Sequence, residues 1–156
     1  MLHANQLSYL IGHVAAVMSK QADQILQEQL DIGVSQFRIL LVLQKNPHVQ
    51  QRFIAASLGQ TEASVSRQIK LLKDRGLLTC KRNPTNLRKH ITTPTLQGDR
   101  ITKRALQLLA DNFGPNYQTM GSKQTSQLLG SLNALHAIVC GSNSAGDCGH
   151  HIKEIN

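Results

Sequence analysis

Ile54-Ala55-Ala56-Ser57-Leu58-Gly59-Gln60-Thr61-Glu62-Ala63-Ser64-Val65-Ser66-Arg67-Gln68-Ile69 reads as two short helices meeting across a glycine turn. Ala55 is small enough to let the helices approach, and Gly59 suits the left-handed backbone that ends the first of them, residues 50–58. Thr61 offers an oxygen to cap the second, residues 61–75, and Gly76 stands where a helix C-terminus favours glycine. At about 100° per residue, Val65, Ile69 and Leu72 share one face of this second helix. The opposite arc carries Ala63, Ser64, Ser66, Arg67, Lys70 and Leu71, with Arg67 nearly opposite the apolar side. The pattern is a helix-turn-helix.

On the N-terminal side, Leu7, Ile11, Val14, Met18, Ala22 and Ile25 recur at steps of three or four, which predicts an amphipathic helix over residues 4–30. Ser35 reads as the N-cap of a helix over 36–45 around Phe37, Leu40, Leu41 and Leu43, stopped by Asn46-Pro47. On the C-terminal side, residues 77–82 and 89–93 are β-prone and flank the turn formers Asn83-Pro84-Thr85-Asn86, which predicts a hairpin with a basic tip. Helical periodicity returns in Ile101, Ala105, Leu108 and Leu109, is expected to break at Gly114-Pro115, and resumes after Ser122 through Leu128, Leu132, Leu135 and Val139. The tail 141–156, rich in Gly, Ser and Asn, reads as flexible.

Helix, helix, then basic hairpin is the order of a winged helix. The expected fold class is therefore mainly α with a small β-hairpin: a winged helix-turn-helix with N- and C-terminal dimerisation helices. Residues 1–140 form a single domain in this reading, with 34–95 as the DNA-binding region and 4–30 and 96–140 as dimerisation helices. The apolar stripes on 4–30 and 123–140 are too long to hide against so small a centre, and a partner chain would cover them.

Charge sharpens the functional reading. Residues 52–104 hold twelve Lys/Arg against three acids, whereas the rest of the chain is near neutral, within a total of +8. Clustered cations release counterions from a polyanion, although a solvated basic surface would show the same composition. Aromatic residues are only 3% of the chain, which disfavours a single-strand binder that stacks bases on exposed rings. Small and hydroxylated residues at Thr61, Ser64 and Ser66 permit close approach to a major groove. There Arg67 can grip guanine O6 and N7, and Lys70 can meet phosphate. Arg82, Asn86, Arg88 and Lys89 flank or form the hairpin tip, placed for a narrow minor groove or the phosphates beside it, unless the tip is only a solvated loop.

Ser64-Val65-Ser66-Arg67, Leu72, Arg75-Gly76-Leu77-Leu78, Arg82, Asn86-Leu87-Arg88 and Thr95-Leu96-Gln97-Gly98 resemble the MarR family of transcriptional regulators across about residues 4–140. The family's wing carries Asp-x-Arg followed by Leu-Thr-x-x-Gly; here Asn86 stands for the acid and Pro94 for the leucine. The resemblance implies a homodimer with interlocked terminal helices, bound to pseudo-palindromic double-stranded DNA, most often as a repressor. It also implies a small aromatic or phenolic effector between the dimer and DNA-binding regions, near His13, Phe37 and Arg104, although His13 also reads as an ordinary helix residue and Arg104 as a surface charge. A winged-helix interaction module or antagonist that does not read DNA is the alternative.

Other chemistry finds little support. The chain has nine acids and no Walker-type loop, HExxH or GxSxG, so no enzyme and no cofactor are expected. Cys80, Cys140 and Cys148 form no CxxC pair and suit a reducing, cytoplasmic setting. Cys80 reads as a small strand residue, and Cys148, His150 and His151 with His136 or Cys140 match no zinc spacing. Residues 4–19 lack the basic start of a signal peptide, and the uncharged run 124–146 is too polar to span a membrane.

Overall fold

The computed structural model describes residues 2–83 and 85–141. The elements run α1 (Leu2–Leu30), α2 (Val34–Lys45), β1 (Val49–Gln50), α3 (Gln51–Leu58), α4 (Glu62–Asp74), β2 (Leu78–Asn83), β3 (Asn86–Pro94), α5 (Leu96–Met120) and α6 (Ser122–Gly141). The fold is mainly α with a small antiparallel sheet, as expected. The sheet has a third strand that the sequence did not reveal: its order is β1-β3-β2, with Val49 opposite Thr92 and Gln50 opposite Ile91. The hairpin itself pairs Leu78 with Pro94 and Cys80 with Thr92. The expected flexible tail, with Cys148, His150 and His151, falls outside the described residues apart from Gly141, the last residue of α6.

The core is aliphatic and lies where α2, α3, α4 and the base of the sheet converge. Leu26, Ile32, Ile39, Leu43, Ile54 and Leu72 are all fully buried. Outside this core α1 is bare, because Leu7, Leu10, Ile11, Val14 and Val17 are 41–59% exposed. Leu128, Leu129, Leu132, Leu135, Ile138 and Val139 of α6 are exposed likewise.

Two expectations about helix ends need correction. Ser35 does not cap α2, because the helix begins one residue earlier, at Val34, with Gly33 as its N-cap. The cap comes from elsewhere: Val34 N–H donates to Asp23 Oδ1 of α1 at 2.7 Å, and Gly33 N–H donates to Gln36 Oε1 at 3.2 Å. A carboxylate eleven residues upstream satisfies a donor that a local serine was expected to serve. Gly114-Pro115 does not interrupt α5, which continues to Met120 with Pro115 inside it. Proline removes one N–H donor, but Pro115 and Asp111, whose carbonyl loses its partner, are both exposed, so water can take that place. Asn112 Nδ2 donating to Leu108 O and Thr119 Oγ1 donating to Pro115 O add bonds on either side.

The Thr-x-x-Gly segment makes the junction between hairpin and α5. Thr95 Oγ1 accepts from Gly98 N–H as the N-cap of α5 and donates to Gly76 O at 2.7 Å, while Thr95 N–H donates to Leu77 O. Gly98 lies so close to Leu77 that a Cβ would sit 2.0 Å from the Leu77 carbonyl oxygen. Because that obstacle is backbone, Gly98→Ala is expected to cost at least about 2 kcal/mol in urea unfolding. Gly114→Ala, with nothing within 4 Å of the added carbon, is expected to gain about 0.5–1 kcal/mol.

Candidate nucleic-acid interface

Helices α3 and α4 end in the same way. Gly59 takes φ 61, with its N–H on Ala56 O and Gln60 N–H on Ala55 O; Gly76 takes φ 69, with its N–H on Lys73 O and Leu77 N–H on Leu72 O. Both are left-handed glycine closures that satisfy the last carbonyls of the helix. Thr61 begins α4, and its Oγ1 accepts from Ser64 N–H at 3.2 Å. The turn and both boundaries of the motif thus have the local cause expected from the residues.

Packing then decides what α4 presents outward. Val65, Ile69 and Leu72 are buried to 2% exposure or less, against α2 and α3. Their burial turns Ala63, Ser66, Arg67, Lys70 and Leu71 to solvent, with Ser64 half-buried at the edge. Among the described residues, Arg67, Lys70 and Arg82 form no ion pair, the ion pair found being Arg75 with Asp31. Among the described residues no carboxylate neutralises their positive charge, the condition for strong phosphate attraction. Leu71 joins this face at 48% exposure. An apolar side chain there can meet a thymine methyl group. Its place on the outward arc was legible in the sequence.

In the hairpin, Arg82 is exposed and pairs across the strands with His90, next to a register shift between Arg82 and Asn83. Asn83 Oδ1 accepts from both Thr85 N–H and Thr85 Oγ1, which tightens the turn. Asn86 is exposed and opposite Asn83. Arg88 and Lys89 lie on β3, and their side chains fall outside the described ones. The base of the hairpin is anchored by Thr92, fully buried, and by Thr93 Oγ1, 3.0 Å from His48 Nδ1.

The suggested effector residues lie on three different helices, α1, α2 and α5. Phe37 is 6% exposed inside the core, His13 is exposed on α1 and stacked on Tyr9, and Arg104 is exposed on α5. They share no exposed surface, because the Phe37 ring is covered. Among the described residues no group of three or more His, Cys, Asp or Glu could hold a metal ion, and no helix is long and apolar enough to cross a membrane.

This arrangement defines a winged helix-turn-helix protein. Residues 30–89 match the model of the MarR family, so the resemblance read from the residues stands. Solved structures extend the likeness to most of the chain. MarR from E. coli in its apo form is 19% identical, covering 83% of this chain and 96% of its own, with a TM-score of 0.75. CouR from Rhodococcus jostii RHA1, bound to p-coumaroyl-CoA, is 19% identical, covering 86% of this chain and 92% of its own, with a TM-score of 0.72. A transcriptional repressor CouR bound to a 23-mer DNA duplex is 25% identical, covering 84% and 92%, also with a TM-score of 0.72. No curated protein matches the chain in sequence. The fold is that of MarR-family transcriptional regulators.

Thr61→Ala removes the N-cap of α4 and is expected to cost about 1 kcal/mol in urea unfolding. Ser66→Ala, on the outward face, is expected to change stability by less than about 0.5 kcal/mol in the same experiment.

Proposed function

We propose that the protein is a transcriptional regulator, not an enzyme, that binds double-stranded DNA as a homodimer and acts chiefly as a repressor in the cytoplasm. The observation that carries this reading is the outward face of α4. Arg67 and Lys70 stand exposed there with no ion-pair partner among the described residues, on a helix whose other side is buried in the core. A repressor with the same fold, 25% identical, is bound to a DNA duplex, which supports a duplex as the ligand. In this account residues 1–140 act as one domain, and residues 34–95 read the DNA. Thr61, Ser64, Ser66, Arg67 and Lys70 enter the major groove; Arg82, Asn86, Arg88 and Lys89 lie beside the minor groove. The exposed apolar faces of α1 and α6 support dimerisation, since such surfaces are costly to leave in water. A twofold axis would set the two copies of α4 about one DNA turn apart, on a pseudo-palindromic site.

A fold relative holds p-coumaroyl-CoA, whose acyl group is a phenol, which supports an effector with a phenolic ring. His13, Phe37 and Arg104 are its proposed contacts, and access to Phe37 would require the core to open there.

A gel-shift titration in salt tests the reading directly. A dimer touching six to ten phosphates should lose about 10³–10⁵ in affinity between roughly 50 and 200 mM salt. Affinity independent of salt, or no binding by a dimeric protein, would favour a winged-helix interaction module. With a duplex selected from random sequence, Arg67→Ala is expected to lower preference for that duplex over random DNA, whereas Arg88→Ala weakens both. Equal losses on both DNAs for Arg67→Ala would contradict its assigned role.

A further inference from the structure

Helix α1 ends at Leu30, and Asp31 then takes φ 54, in the left-handed region that a non-glycine residue seldom occupies. The last carbonyls of a helix lack internal partners and carry the negative end of its dipole. Here they are met by a side chain 44 and 45 residues away in sequence. Arg75 Nη1 donates to Asp31 O, and Arg75 Nη2 donates to Leu30 O at 3.3 Å. The same Nη2 lies 3.5 Å from Asp31 Oδ2. Because the Asp31 side chain is 87% exposed, that ion pair contributes little, and the two carbonyl bonds are the substance of the contact.

Arg75 is also the C-cap of α4, with Gly76 closing the helix behind it. Its guanidinium thus bolts the end of the recognition helix to the end of α1. Against α2 and α3 the hold on α4 is apolar: Val65, Ile69 and Leu72 keep its inner face buried, and such packing has no directional preference of its own, while the bond from Thr95 Oγ1 to Gly76 O ties the same end to α5 and not to α1. A planar group with two donors on two fixed carbonyls does have direction. We infer that Arg75 is a positioning residue, which sets where α4 stands relative to α1 without touching DNA. Resting on the proposed dimer built on α1 and α6, this contact fixes the separation of the two recognition helices and so the half-site spacing that the protein accepts.

The test uses the full chain and a duplex selected from random sequence, together with two derivatives whose half-sites stand one base pair closer or farther apart. Each such change shifts and rotates one half-site by about a tenth of a turn. The unaltered protein is expected to lose at least about tenfold in affinity on either derivative, a loss of the size that a mismatched base pair causes. Arg75→Gln is expected to bind all three duplexes within about threefold of one another. Arg75→Lys, which keeps the charge but loses the paired donors, should fall between them. Asp31→Asn, which keeps both carbonyls, should behave as the unaltered protein. If Arg75→Gln does not fold, Arg75→Lys decides the matter on the same duplexes.

Uniform weakening on all three duplexes, with the spacing preference intact, would make Arg75 merely structural and overturn the inference. So would an unaltered protein that binds all three alike, while leaving the regulator reading in place. An unaltered protein that is monomeric or binds no duplex would overturn both.

Discussion

The burial of Val65, Ile69 and Leu72 is the constraint on which the rest of the molecule turns. These three side chains lie on one side of α4 and are almost wholly removed from water by α2 and α3. With that side committed, the helix has no choice about its other side, and Ser66, Arg67, Lys70 and Leu71 face solvent. The energetic cause is ordinary aliphatic burial; its consequence is electrostatic, because it holds cations where no carboxylate among the described residues pairs with them. A core that packs densely transmits such constraints well, since a small displacement of one inner side chain has nowhere to be absorbed.

The elements around α4 are joined to it by backbone contacts. Leu77 follows α4 immediately and receives Thr95 N–H on its carbonyl, and Gly98 allows α5 to approach that same carbonyl. Thr95 closes the triangle by donating to Gly76 O. The end of α4, the base of the hairpin and the start of α5 therefore meet within a few residues. On the opposite side, Arg75 reaches the end of α1. A change in the relation of α1 to α5 would be felt at α4 through these two junctions, which gives the fold a physical route between its terminal helices and its basic face.

The parts legible from the residues are those with local causes. Gly59 and Gly76 mark left-handed backbone, Thr61 caps its own helix, and the three-to-four spacing of Val65, Ile69 and Leu72 projects directly onto a buried face. The parts that escaped have distant causes. Asp23 displaced Ser35 from the start of α2 because the carboxylate arrives from another helix. A strand of two residues, Val49–Gln50, has no periodicity to detect and exists because β3 offers it a partner. Pro115 stays inside α5 because exposure makes its missing bond cheap, which residue type alone does not disclose. Nothing in the neighbourhood of Arg75 in sequence indicates Leu30 or Asp31 as its acceptors. The apolar stripes of α1 and α6 are visible in the residues, and the structure adds that the chain by itself leaves them largely uncovered.

The central claim is spatial: the outward face of α4 lies against base edges in a major groove, twice, across a twofold axis. A benzophenone amino acid carried in place of Ser66 tests this most directly, by photo-crosslinking to a duplex selected from random sequence. The account predicts crosslinks to bases in two clusters about one helical turn apart, and none from the same group carried in place of the exposed Ala110 on α5. Crosslinks of equal yield from both positions, or none from position 66 in a complex that demonstrably forms, would contradict it.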